Sequence, residues 1–137
     1  MTLHLVKLCV GCDSPEDLLV WRRATFKPDD PWILRTRQTP RRLAELVDGG
    51  SLYRVYRGLI LSRQLILGID TIGEGPTRRC EVTLDPHVIG TTPAPRRAFQ
   101  GWRYLQPNDA PPDLDQTAND ETLARDFARR LRELGAW

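Results

Sequence analysis

The chain has 137 residues, 40% hydrophobic and 28% charged, which supports one core, leaves no room for two, and excludes wholesale disorder. No apolar run reaches the roughly 18 residues that cross a bilayer, and the start, MTLHLVKLCV, lacks the basic region and small-residue cleavage site of a signal peptide. The net charge is only +2, but three cysteines, an odd number, fit reduced thiols better than a disulfide framework, so a cytoplasmic address is expected.

Thr2–Val10 is dense in Leu and Val and predicts a buried strand. Ser14-Pro15-Glu16-Asp17 starts a helix, with Ser at the cap, Pro at the first helical position and acids at the positive dipole end. Leu18, Leu19, Trp21 and Ala24 give that helix, over about 15–25, an apolar stripe. Trp32–Arg37 predicts a short strand. Thr39-Pro40 opens a second helix by the same logic, with Leu43, Ala44, Leu46 and Val47 inward and Gly49-Gly50 as its stop.

The next stretch is β-rich. Ser51–Arg57, Leu59–Ser62, Gln64–Ile72 and Arg78–Leu84 are apolar or alternating runs punctuated by Gly58 and Gly73-Glu74-Gly75-Pro76. Residues 90–98 read as loop, and Phe99–Leu105 as a last strand. Pro107–Thr117 is rich in Pro and Asp and reads as a surface linker. Leu123, Phe127, Leu131 and Leu134 fall on one side of an amphipathic helix over about 120–134. The expected organisation is one domain over 1–106, a linker over 107–118 and a C-terminal helix over 119–137. The fold class is α+β, with the strands in a small curved barrel, two helices in the N-terminal half and the terminal amphipathic helix.

Cys9-Val10-Gly11-Cys12 has the spacing of half a zinc site or a redox pair. Only Cys80, His4 and His87 remain as further ligands, without a second paired knuckle, and Cys9 ends a strand instead of opening a helix. Inert thiols are therefore expected, with no metal and no cofactor. Glycine-loop, G-x-S-x-G and H-E-x-x-H motifs are all missing from the sequence, and no catalytic residue is assigned.

Charge is concentrated in the middle of the chain. Residues 31–107 hold twelve arginines against six acids, while residues 108–137 hold four arginines against seven. Arg35 and Arg37 alternate on one strand, and Arg41 and Arg42 fall on the first turn of the second helix. Arg96, Arg97 and Arg103 interleave with Phe99, Trp102 and Tyr104. Guanidinium groups beside rings suit single-stranded nucleic acid, Arg holding phosphates and flat groups stacking bases. The alternative assignment is a solvated arginine face over a core plugged by Trp102.

The segments His4–Gly11, Asp48–Tyr53 and Phe99–Leu105, the last reading F-Q-G-W-R-Y-L, resemble a bacterial family catalogued as domain of unknown function 1489, over nearly the whole chain to about residue 114. That resemblance implies kinship and no activity. More distantly, the order Trp32–Arg37, Pro40–Asp48, Gly49-Gly50 and Ser51–Ile72 is similar to PUA-like domains of the ASCH and EVE types. This implies a barrel with an RNA or modified-base cleft between barrel and helix.

The resulting expectation is a non-catalytic module binding RNA or a nucleotide through Arg35, Arg37, Arg41, Arg42, Arg96, Arg97, Arg103 and Trp102, with no membrane partner. One alternative is a small enzyme acting on an anionic, nucleotide-like substrate, with Asp70, Glu81, Asp85 and His87 as acid–base groups. Another is a protein-interaction module using the terminal helix.

Overall fold

In a computed structural model of the chain, which describes residues 2–114, seven strands and two α-helices follow one another, with short 3-10 turns at Gly75–Thr77 and Pro107–Asp109. They are β1 (His4–Leu8), α1 (Pro15–Thr25), β2 (Trp32–Thr36), α2 (Leu43–Leu46), β3 (Ser51–Tyr56), β4 (Leu59–Ile72), β5 (Arg79–Leu84), β6 (Ile89–Pro95) and β7 (Trp102–Leu105). The helix expected over 120–134 lies outside the described residues.

Local chemistry explains most of these elements. Ser14 caps α1, its hydroxyl accepting from the Asp17 N–H, with Pro15 next in line. Of the predicted inner stripe only Leu18 is fully buried, while Trp21 and Ala24 face outward. β3 and β4 form a hairpin through Arg57-Gly58, both at positive φ, as a two-residue loop between right-twisted strands requires. Cys80, Val82 and Leu84 line the inner side of β5 and pair across to Thr36, Leu34 and Trp32 of β2.

The strands form one mixed sheet in the order β2-β5-β4-β3-β1-β7, with β6 also paired to β4. β1 and β3 run parallel, and the other pairs are antiparallel. β4 replaces the two strands expected there. Its first half pairs with β3 and β6, its second half with β5, and the register shifts between Ile66 and Gly68. The sheet curls around a core that includes Leu5, Leu52, Leu61, Ile66, Val82 and Trp32.

The expected barrel does not form. β2 and β7 are the two ends of an open sheet and do not pair. Side chains alone bridge the seam between them. The Trp102 indole N–H donates to the Gln38 carbonyl at 3.0 Å, and the Tyr104 hydroxyl accepts from the Arg41 and Arg42 N–H groups at 3.0 and 3.3 Å. Between the two edges lies an open cavity, and the ring contacts reach only the segment that follows β2.

Two further expectations are corrected. Residues 90–98 are not all loop, because β6 pairs with β4 along Ile89–Pro95. Pro93 is tolerated because it falls in the register shift between the Ser62–Gly90 and Ile60–Ala94 pairs, and Pro95 because it is the last residue of the strand. The second helix spans only Leu43–Leu46. Thr39, expected to cap it, instead bonds the Thr71 hydroxyl at 2.9 Å, and the amides of Arg41 and Arg42 go to Tyr104.

Pro107–Leu114 returns along β6. The Thr92 N–H donates to the Pro112 carbonyl, the Leu114 N–H to the Gly90 carbonyl, and Arg63 grips Asp113 with two bonds of 2.7 and 2.8 Å. Nearby, the His4 Nδ1 accepts from the Ser51 N–H at 3.0 Å. Burial first, and the Arg63 charge second, lower the His4 pKa below its ordinary 6.5. The folded chain thus disfavours a proton that the unfolded chain takes up.

Stability from His4 is therefore fully present above pH 6.5 and lost as pH falls from 6.5 toward and through the lower folded value. Its slope is at most about 1.4 kcal/mol per pH unit. Urea midpoints should fall between pH 7.5 and 5.5 for the native chain. His4→Asn, which offers an acceptor that does not titrate, should show a clearly smaller fall. Equal falls in the two proteins would contradict the assignment.

Candidate functional site

The seam between β2 and β7 opens into a cavity of about 680 Å³ lined by Lys7, Arg35, Thr36, Arg37, Gln38, Gln100, Gly101, Trp102 and Arg103. Arg35 lies near the end of β2 and Arg37 in the bend just after it, and both line this cavity. Lys7 and Trp102 are directly opposed on β1 and β7. Arg35, Thr36 and Arg37 also form one wall of an adjoining cavity of about 410 Å³, whose far wall is Pro76, Thr77, Arg78 and Arg79. Six basic side chains thus follow one continuous track, and among the described residues no Asp or Glu lines either cavity.

Each basic group has a definable local environment. Arg35 is paired across the strands with Glu81 at 2.9 Å, and its side chain remains 59% exposed. An exposed pair of this kind contributes roughly 0–1 kcal/mol, so an entering phosphate competes with it easily. The Arg103 Nη1 donates to the carbonyls of Gln100 and Trp102 at 2.7 and 2.9 Å, which fixes the guanidinium at the cavity wall. With the Trp102 indole N–H committed to Gln38, a ligand entering the cavity meets the ring and not its donor.

The structure thus brings together Arg35, Arg37, Trp102 and Arg103. The other predicted positions lie elsewhere. Arg42 forms a two-pronged ion pair with Glu45, which raises the Arg42 pKa and lowers that of Glu45, and it lies 5.8 Å from the Tyr104 ring centre. Arg41 is exposed and lines neither cavity, and its backbone N–H and that of Arg42 are both taken by the Tyr104 hydroxyl. Arg96 joins the track only indirectly. It and Arg103 lie 5.7 and 5.4 Å from the Phe99 ring centre. Arg97 is exposed on the loop after β6.

Lys7, Arg78 and Arg79 were missed. Lys7 interrupts an otherwise apolar strand in Leu5-Val6-Lys7-Leu8, and that interruption is the signal that could have found it. Arg78 and Arg79 lie in a stretch readable only as an alternating strand edge.

Among the acid–base candidates only Glu81 touches the track, and none lines either cavity. Glu81 is used by Arg35, Asp70 is exposed opposite Glu81 on β4, and Asp85 accepts the His87 N–H at 2.8 Å. Among the described residues no group of three or more His, Cys, Asp or Glu is placed to hold a metal ion, and no helix is long and apolar enough to cross a membrane. No curated protein and no solved structure matches the chain. A family model described as "Protein of unknown function (DUF1489)" matches residues 5–137, and the chain belongs to that family.

Proposed function

We propose that this chain binds single-stranded nucleic acid, RNA or DNA, along the basic track that runs from Lys7 and Arg103 past Arg35 and Arg37 to Arg78 and Arg79. The observation that carries the reading is six cationic side chains lining two adjoining cavities without one lining carboxylate among the described residues. A polyanion has reason to follow such a path, because each neutralised phosphate releases condensed counterions. The Trp102 ring at the seam gives an unstacked base a surface. A duplex keeps its bases stacked on one another and leaves that ring unused. Arginine dominates the track, and its planar fork suits both phosphate and base edges. Glu81 is held by Arg35, and Asp70, Asp85 and His87 line neither cavity, which favours binding over chemistry on the bound strand.

Filter binding of a short single-stranded RNA, the matching DNA and a nucleoside monophosphate, at low and at moderate salt, tests the proposal. Both oligonucleotides should be retained, more weakly at the higher salt, and the duplex form should compete poorly. Failure to retain either oligonucleotide at low salt would overturn it.

A further inference from the structure

A third cavity, of about 470 Å³, also touches Lys7 and lies between β1, the Cys9–Cys12 loop and α1. Leu8, Leu18, Trp21 and Leu34 supply apolar walls, and Arg54 of β3 is its buried polar feature. Arg54 is only 6% exposed. Its guanidinium donates twice to one neutral acceptor, the Gln64 Oε1, at 3.2 and 3.0 Å, and lies 5.8 Å from the Trp32 ring centre. Among the described residues no carboxylate forms an ion pair with it.

The contrast with Arg63 on the neighbouring strand is informative. Arg63, more exposed than Arg54, is held by both oxygens of Asp113. A guanidinium taken out of water ordinarily has an anion beside it. Asp17 lies on the cavity wall, but its carboxylate accepts the Asp13 N–H at 3.0 Å instead. Cys9 lies beside Arg54, yet burial pushes its thiol up to about 12, so it stays neutral at physiological pH and supplies no counter-charge.

We propose that this cavity binds a small organic anion, its carboxylate or phosphate head pairing with Arg54 and its flat apolar body resting against Leu18, Leu34 and Trp21. The volume is within the range of small-molecule sites, and the pattern of apolar walls with one convergent charged group is what such sites show. Lys7, on the rim shared with the seam cavity, offsets Asp17 at the entrance. This inference is independent of nucleic-acid binding.

Phenyl phosphate, benzoate and neutral benzyl alcohol, titrated into the full chain and followed by tryptophan fluorescence and calorimetry, distinguish the outcomes. At least one of the two anions should bind about tenfold or more tightly than benzyl alcohol, and the tighter head identifies the natural group. Arg54→Met should abolish that preference. Because this variant can lose its fold, Trp21→Ala at the 47% exposed rim provides a second test and should weaken the anion roughly threefold or more. Arg35→Ala/Arg37→Ala should leave anion binding unchanged, which separates this site from the seam. Equal binding of benzyl alcohol and the anions, no binding of either anion, or full affinity in Trp21→Ala would overturn the proposal.

Discussion

Gly50→Ala should lose about 3–5 kcal/mol of stability, more than an ordinary single substitution removes. Gly50 follows α2 and leads into β3, where the backbone is squeezed between two other chain segments. A Cβ there would fall well under 3.0 Å from the backbone carbonyl oxygens of Leu3 and Leu46. Neither oxygen is the far end of a flexible side chain, so relief requires backbone movement. That movement would disturb the bond from the Gly50 N–H to Leu46 and the bond from the Ile66 N–H to the Gly50 carbonyl, at 3.0 and 2.9 Å. The same junction seats β1 against β3.

For a domain of this size the loss corresponds to a fall in Tm of roughly 10–20 °C. Gly68→Ala is the control. A Cβ at Gly68 meets nothing within 4 Å, and removing glycine's freedom in the unfolded chain makes the change neutral or slightly stabilising. Thermal unfolding of the two variants should separate them widely. A Gly50→Ala protein melting within about 2 °C of the native chain would contradict the packing described at this junction.

Arg35→Ala/Arg37→Ala should weaken a single-stranded oligonucleotide by roughly 30- to 100-fold at moderate salt, since charge-assisted phosphate contacts are among the stronger polar interactions. The two residues form walls of both seam cavities, so their loss breaks the track at its centre. Removing Arg35 also releases Glu81, which adds a repulsive charge beside the path. Arg41→Ala/Arg97→Ala removes the same two charges from positions that line neither cavity. It should change affinity no more than about threefold, the effect expected of net charge alone. Equal losses in the two double variants would show that binding follows overall charge and not the seam.

Elements with their own local signals were legible in the sequence. Ser14-Pro15 marks the start of α1 to the residue, and the alternation of Cys80, Val82 and Leu84 gives both β5 and its inner face. What long-range contacts decide was not legible. Thr39-Pro40 has the local chemistry of a helix start, yet Tyr104, more than sixty residues away, takes the amides of Arg41 and Arg42. The glycine and prolines of Ile89–Pro95 imitate a loop, and what admits them to a strand is a register shift against β4 that no local pattern reports.

The arginine site divides along the same line. The nearness of Arg35 and Arg37 follows from their spacing in the sequence, whereas their meeting with Lys7 and Arg103 depends on how the open sheet curls. Arg54 reads as a wet-face residue within Ser51–Tyr56, although all six residues of β3 are buried. Its burial comes from a sheet covered on both faces, which no local pattern reports.

The salt dependence of oligonucleotide binding, measured for the native chain and for Arg35→Ala/Arg37→Ala, tests the central claim most directly. Each phosphate neutralised on a single strand contributes about −0.7 to the slope of log K against log salt concentration. Contacts from Lys7, Arg37, Arg78, Arg79 and Arg103, with Arg35 partly held by Glu81, predict a native slope of about −3 to −4. The double variant should be shallower by roughly one unit. A native slope near zero, or one that the double substitution leaves unchanged, would contradict a phosphate-binding track at the seam.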